Sequence, residues 1–451
     1  MTAALEPFKD LHPYTGTLTP EDHVWLHEVA KLDPRDYRVG IDDERPADEF
    51  TPLVQLAPDG QWWAGRYIGA ITFQGRRLVI EPRLGINVIE PWLDQAFGLA
   101  APPLSSHQVE SETFIARLLA RLWCRSVDQA TRHGLPQLRL AATHEGEYVR
   151  GRLDVRRTVR LMGQGRQQIA SITHDRSLAH PITRAIVCAD RALAERLSTG
   201  AEWRTPRVKQ VLPHLRAAVG SRPKLPTIHE LSRVRYTPIT LPFKRAAMLS
   251  HRIASRLGYG ASDEEGNAEG ILIDVAELWE LFVLNCVRQA VPPGVTVEHG
   301  TAPGRRDYLL RRDHGDKEMG RLKPDILVLE GDSVIAVVDA KYKRLRDSRE
   351  RPNGVDGADL YQLVAYSLRF KPSGISALAY PLAPDDGLPV KSTAETYGPW
   401  RNHESTFCFR RLPTDVDACR DALEALLFET GIGGAPAASR PGSSLTSGAS
   451  V

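Results

Sequence analysis

Two apolar runs constrain this chain more than any other stretch: Ile326–Leu329 and Val334–Val338, separated by Glu330-Gly331-Asp332-Ser333. The runs are rich in β-branched residues and the segment between them carries turn chemistry, so they read as a β-hairpin. They are nearly continuous rather than alternating, which places the hairpin centrally in a sheet, covered on both faces. Charged residues nevertheless bracket it. Pro324-Asp325 precedes the first run, and Asp339-Ala340-Lys341 closes the second. Side chains two apart on a strand share a face, so Asp339 and Lys341 project together and Asp325 comes alongside them. Charges on a buried sheet are costly unless they are paired or bind a metal. Two neighbouring carboxylates repel, and a bound Mg²⁺ relieves that repulsion. The cluster therefore implies the protein half of a hard-metal site with an ammonium beside it. Such a site suits phosphodiester hydrolysis: the metal polarises the phosphate and activates a water, and the lysine orients the water or stabilises developing charge.

The rest of the chain bounds this reading. Its 451 residues suffice for two or three domains, and 42% hydrophobic with 25% charged residues describes an ordinary globular composition. A formal net charge of +2 neither demands nor excludes a nucleic-acid partner, because a basic groove can sit on a neutral protein. Cys124, Cys188, Cys286, Cys408 and Cys419 are scattered without a CxxC pair, which argues against a zinc ribbon and for a reducing compartment. No apolar signal core opens the sequence and no run approaches a membrane span, so a cytoplasmic protein is expected. No GxxxxGK[ST] phosphate loop occurs, so any nucleotide hydrolysis belongs to a partner.

The pattern along the chain predicts a multidomain protein of α+β or α/β class. Residues 1–105 read as a β-rich domain, with two short strands around Gln74-Gly75 and a stop at Pro82. Residues 106–258 read as mainly helical, with apolar spacing over 111–134 and further helices near 181–198, 205–220 and 242–257. The stretch 258–268 looks like a boundary loop. Residues 259–432 then mix types: a helix over 271–290, strands near 295–300 and 307–311, the hairpin, a helix over 356–370, a strand over 375–381, and a closing strand and helix. Residues 433–451 are small, polar and Gly/Pro/Ser-rich, and a disordered tail is expected.

Two flanks strengthen the hairpin reading. Upstream, IDVAELWELFVLNCVRQAV carries Glu277 and Glu280 three residues apart on a helix. Downstream, ADLYQLVAYSLRF places Gln362 and Tyr366 at i and i+4 on one helix face. The ensemble resembles the PD-(D/E)xK nuclease superfamily, and Gln362 with Tyr366 resembles the element that supports the active site and DNA in RecB-like nucleases. More narrowly, LWELFV, KPDILVL…VVDAKYK and DLYQLVAYS are similar to the McrC family, the nuclease subunit of McrBC-type restriction systems. YIGAITFQGRRLVIEPRLG, GRLDVRRTV and ITHDRSLAHPITRAIVCADRAL resemble that family's upstream segments, with Thr183-Arg184 and Pro82-Arg83 departing from its pattern.

The resemblance implies a C-terminal restriction-endonuclease-like mixed sheet flanked by helices. It implies Mg²⁺ held by Asp325, Asp339 and Glu280, catalysis with Lys341, and Gln362 and Tyr366 in support. Position favours Glu280 over Glu277 as the matching acid. It also implies DNA as substrate, modified-cytosine (5-methylcytosine) targeting delegated to a hexameric McrB-type AAA+ GTPase, and docking on that partner through residues 1–105. A stand-alone RecB-like nuclease and a non-catalytic adaptor of an AAA+ motor are the alternatives. His174, Asp175 and His180 read as capping or packing residues, and Trp62-Trp63 as core or protein interface. The arginines of 304–315 and 341–352 interleave with acids, so a solvated face is the default and phosphate contact the minority reading.

Overall fold

A computed structural model describes residues 5–38, 51–97, 111–197, 203–255, 268–300, 302, 305–313, 317–343, 354–382, 398–402 and 405–428. The expected tail at 433–451 and most of the 258–268 stretch lie outside these. The chain divides into two compact units, residues 1–278 and 279–451.

In the first unit, β1 (Phe8–Lys9) is followed by helix α1 (Pro20–Val29), which starts on a Thr19–Asp22 capping box. β2 (Val54–Leu56) pairs with β3 (Trp62–Ala64), and β4 (Tyr67–Phe73) turns into β5 (Arg76–Glu81). Gln74 and Gly75 between them both have positive φ, 52° and 70°, the two-residue turn whose twist matches a hairpin. As the sequence indicates, β5 ends just before Pro82. Helix α2 (Ile86–Phe97) leads towards α3 (Ser111–Ala130). Then come β6 (Leu138–Gly146), β7 (Arg152–Leu153), α4 (Val155–Gly163) and β8 (Ile169–Ser177), with strand order β6-β8-β7. Helices α5 (Pro181–Leu197), α6 (Pro206–Val219), α7 (Ile228–Ser232) and α8 (Pro242–Ala254) complete the middle. That region is accordingly helical with a three-stranded sheet set into it.

One boundary differs from the sequence expectation. Residues 269–274 form a strand, β9 (Glu269–Asp274), where a helix from 271 was expected. β9 pairs antiparallel with β4, giving a sheet ordered β1-β5-β4-β9. Ile271, Leu272 and Ile273 are buried, and an apolar run this short does not by itself tell a strand from a helix start. The chain thus returns to its first sheet after residue 268. Helix α9 (Val275–Ala290) follows, and the division between the units falls inside it rather than in the 258–268 stretch.

The second unit is built on a six-stranded mixed sheet. β10 (Val295–His299) precedes a separate two-stranded ribbon, β11 (Asp307–Arg311) and β12 (Glu318–Leu322). The expected hairpin is β13 (Ile326–Glu330) and β14 (Ser333–Ala340). Helix α10 (Gly357–Phe370), β15 (Ile375–Pro381), β16 (Trp400–Asn402), β17 (Ser405–Leu412) and a closing helix Val416–Phe428 follow. The sheet order is β10-β13-β14-β15-β17-β16. β14 therefore sits between antiparallel β13 and parallel β15, and Ile335 to Val338 are buried, as the near-continuous run indicates.

Candidate active site at the end of the central hairpin

Register brings the site together. Ile326 pairs with Val338, so the ladder continued by one residue sets Asp325 opposite Asp339. Asp325 Oδ2 accepts from the Ala340 backbone N–H at 2.8 Å, and the Lys341 N–H donates to the Ala379 carbonyl at 2.8 Å. Asp325 is thereby held to β14, and β14 is held to β15 beside the site. Lys341 Nζ lies 2.7 Å from Asp339 Oδ2, a close ion pair. The ammonium donates its aligned hydrogen bond to Gln362 Oε1, at 2.8 Å. Gln362 Nε2 donates to the Tyr366 hydroxyl at 2.8 Å, and that hydroxyl donates to the Lys323 carbonyl at 3.0 Å. One chain of contacts therefore runs from Asp339 through Lys341, Gln362 and Tyr366 to the backbone two residues before Asp325. Five of the six residues singled out in the sequence meet here.

The electrostatics follow from burial. Asp339 is 2% exposed, and burial together with the neighbouring Asp325 charge pushes its carboxyl up to about 7, against the opposing pull of Lys341. Burial alone would draw the Lys341 ammonium down, but Asp339 and Asp325 hold it above the usual lysine value. Burial, then the same two acids, raises the Tyr366 phenol, so it stays a neutral donor. Asp325 opposite it is half-buried, and a protein rarely sets a buried carboxylate against a second one unless something positive compensates them.

Whether these residues suit a hard cation can be judged from the donors themselves. Asp339 Oδ2 is buried with the Lys341 ammonium 2.7 Å away, and a carboxylate oxygen that meets one cation keeps a second lone pair for another. Among the described residues no three His, Cys, Asp or Glu groups converge as a metal cage. Mg²⁺ does not need one, since it keeps several waters and takes one or two carboxylates plus substrate oxygens. The Asp325–Asp339 pair fits that ion. Glu280, the third expected ligand, is not brought into a cluster with them. It is buried on α9, and its Oε1 lies 2.9 Å from His299 Nε2. His299 ends β10 and pairs in register with Ile326, the residue after Asp325.

Glu277, one turn earlier, is a different residue altogether. It forms an ion pair with Arg38 at 2.8 Å, the two side chains 3% and 12% exposed, so it is a buried structural acid and not a solvated helix face. Two further site residues escape a sequence reading. Asp359 is buried on α10, 2.7 Å from Lys343 and 3.7 Å from Lys341. Its position three residues before Gln362 on the same helix was the available signal. His299 had none, because only strand pairing brings it to Glu280. Of the other candidates, His174 and Asp175 lie exposed on β8, while His180 is buried against the Pro136 carbonyl. Trp62 is core, its Nε1 donating to His23 Nδ1 at 2.9 Å.

Residues 63–381 match the family model described as "McrBC 5-methylcytosine restriction system component". The chain belongs to this McrBC family. No curated protein sequence matches it. Among solved structures, its fold is similar to a chain in the refined half-complex from a tetradecameric assembly of Thermococcus gammatolerans McrB AAA+ hexamers with bound McrC. The TM-score is 0.56 at 16% identity, covering 94% of this chain and 99% of that one. A chain of the Thermococcus gammatolerans McrBC complex also matches, with TM-score 0.38, 15% identity and 63% and 88% coverage. The McrBC family match spans both units, from β3 to the end of β15, and so contains every residue of the candidate site. Among the described residues no helix is long and apolar enough to cross a membrane.

Proposed function

We propose that this McrBC-family chain is the Mg²⁺-dependent DNA endonuclease subunit of a modification-dependent restriction complex, and that its second unit is a PD-(D/E)xK nuclease domain. The observation that carries the reading is Lys341. A half-buried ammonium is clamped between Asp339 and Gln362, with Asp325 across the ladder. Asp325 and Asp339 would hold the cation, which when bound supplies Lewis acidity at the phosphate. Lys341 supplies a fixed positive charge where the phosphate gains charge in the transition state. Gln362 and Tyr366 fix the direction of that ammonium, and Glu280 with His299 flanks the pair from α9 and β10. A DNA-nicking assay in Mg²⁺ tests this. Asp325→Asn, Asp339→Asn and Lys341→Ala should each remove cleavage, and full cutting by Lys341→Ala would discard the assignment.

By family, we further propose that the chain works docked on a hexameric McrB-like AAA+ GTPase, which reads 5-methylcytosine contexts and whose GTP turnover it stimulates. The sequence reading put the docking surface within 1–105, but residues 62–85 bury much of their apolar surface in the first sheet's core. Exposed apolar side chains of the first unit include Val24 and Leu56 within 1–105, and a group at Tyr148, Val149, Val155, Val159 and Met162. Val155, Val159 and Met162 line one face of α4, while Thr158 and Leu161 bury the other against β8. The α4 face is therefore a second candidate docking surface beside residues 1–105. Val159→Asp should weaken GTPase stimulation and leave metal-dependent nicking intact. Deleting residues 1–100 is a poorer test, because it strips β4 from β9.

A further inference from the structure

The ribbon β11–β12 has two unlike faces. In the register Tyr308↔Arg321 and Leu310↔Met319, residues 308, 310 and 312 share a face with 321, 319 and 317. The opposite face is tied down by side-chain contacts at its base, although Leu309 on it is 42% exposed. Asp307 pairs with Arg369 at 3.1 Å and Arg305 at 3.4 Å, Arg311 pairs with Glu318 at 2.6 Å, and Leu322 packs into the core with Leu327 and Tyr366. The first face has none of this. Leu310 and Met319 stand opposite each other at 54% and 66% exposure. Arg312, Lys317 and Arg321 are exposed beside them, and none forms an ion pair among the described residues. Among the described residues this face thus carries three cations, no acid and an apolar centre. Its far end, β12, runs through Leu322, Lys323 and Pro324 directly into Asp325.

We infer that the β11–β12 ribbon is a DNA-binding arm, laying this face along a groove of the duplex beside the scissile phosphate. The inference rests on the nuclease reading above and adds to it the element that grips the substrate. Charge complementarity selects the occupant. Duplex DNA offers a dense row of phosphates for unpaired Arg and Lys, and sugar and base edges for Leu310 and Met319. Size agrees. At ~3.4 Å per residue the stretch from Tyr308 to Arg312 runs for about 14 Å, and a major groove ~12 Å wide admits a two-stranded ribbon. The opposite face explains why the arm holds its place: Arg369 on α10 ties its base through Asp307 and the Tyr308 carbonyl.

The test uses the full chain and a 30-base-pair duplex without divalent metal, so that nothing is cut. The triple variant Arg312→Ala, Lys317→Ala, Arg321→Ala should raise the dissociation constant more than ten-fold. At about 0.9 per phosphate contact, it should also flatten the salt dependence of log K by up to about 2.7. All three side chains are exposed, so its unfolding midpoint should match the parent's. Met319 replaced by a photo-crosslinking phenylalanine analogue should join to DNA. Unchanged affinity in the triple variant, absence of any duplex affinity in the parent chain, or a crosslink to protein alone would overturn the arm. Retained cleavage by Lys341→Ala with a triple variant that still loses DNA affinity would instead remove the nuclease reading and leave the arm standing.

Discussion

The two units bury acids in opposite ways. In the first, every fully buried carboxylate discussed faces a guanidinium: Asp190 lies 2.5 Å from Arg204, Glu277 2.8 Å from Arg38, and Asp274 3.0 Å from Arg66. In the second, Asp339 and Asp359 face lysines, Glu280 faces a histidine, and Asp339 also faces another acid. Arginine is planar, always charged and matched to a carboxylate's two oxygens, which suits a contact meant never to change. Lysine is a compact point charge that several oxygens can share. On the function proposed above, the difference would separate acids that hold the fold from Asp325 and Asp339, the acids that would take a cation.

The sharpest way to break that contrast is to neutralise one acid of each kind. Asp339→Asn should cut Mg²⁺-dependent cleavage by ~10³-fold, the scale of losing a buried electrostatic element of catalysis. The metal-free melting temperature should hold or rise, because the amide removes a like-charge pair. A large fall in melting temperature would show that Asp339 serves the fold. Glu277→Gln should do the reverse. Leaving Arg38 without its acid should cost about 3 kcal/mol, seen as a lower urea midpoint. Cleavage per folded molecule should not change.

Stability against pH sharpens the comparison further. The folded-state value of Asp339 is raised, so its stabilising contribution is full below its unfolded value and is lost as pH rises through about 7. The metal-free chain should therefore melt lower at pH 8 than at pH 6, and Asp339→Asn should flatten that fall. Added Mg²⁺ should flatten it too, since a cation favours the charged form. A parent and variant with parallel pH curves would count against the buried pair. The smallest effect belongs to Tyr366→Phe. Losing the hydroxyl between Gln362 and Lys323 should cost about 1 kcal/mol of stability. Cleavage should drop several-fold, by loosening Lys341.

Sequence made the hairpin legible because strand periodicity is local, and it made Lys341, Gln362 and Tyr366 legible because spacing fixes a face. Asp325 and Asp339 were legible for the same reason. The Arg38–Glu277 pair was not, as its partners stand 239 residues apart. Without that partner Glu277 reads as a surface residue on an amphipathic helix. β9 was misread as a helix start because Ile271-Leu272-Ile273 runs straight into α9 with no Gly or Pro between. The ribbon's unequal faces needed its register, since along the chain its arginines merely alternate with acids.

The pairing of β13 and β14 shifts at Val328/Leu329, so that Ile335 is an extra residue on β14. That slack lies on the turn side, away from Asp325 and Asp339. Insertions or deletions in Glu330–Ser333 therefore fall where the ladder already absorbs a residue, away from the register that sets Asp325 opposite Asp339. Between Ala336 and Lys341 no slack exists. There a single residue inserted before Asp339 would turn it to the opposite side of the sheet and hand its place to Val338 or to the inserted residue. The site can be lost by a point change or abolished by a frame slip of one residue, but it has no intermediate positions through which to wander.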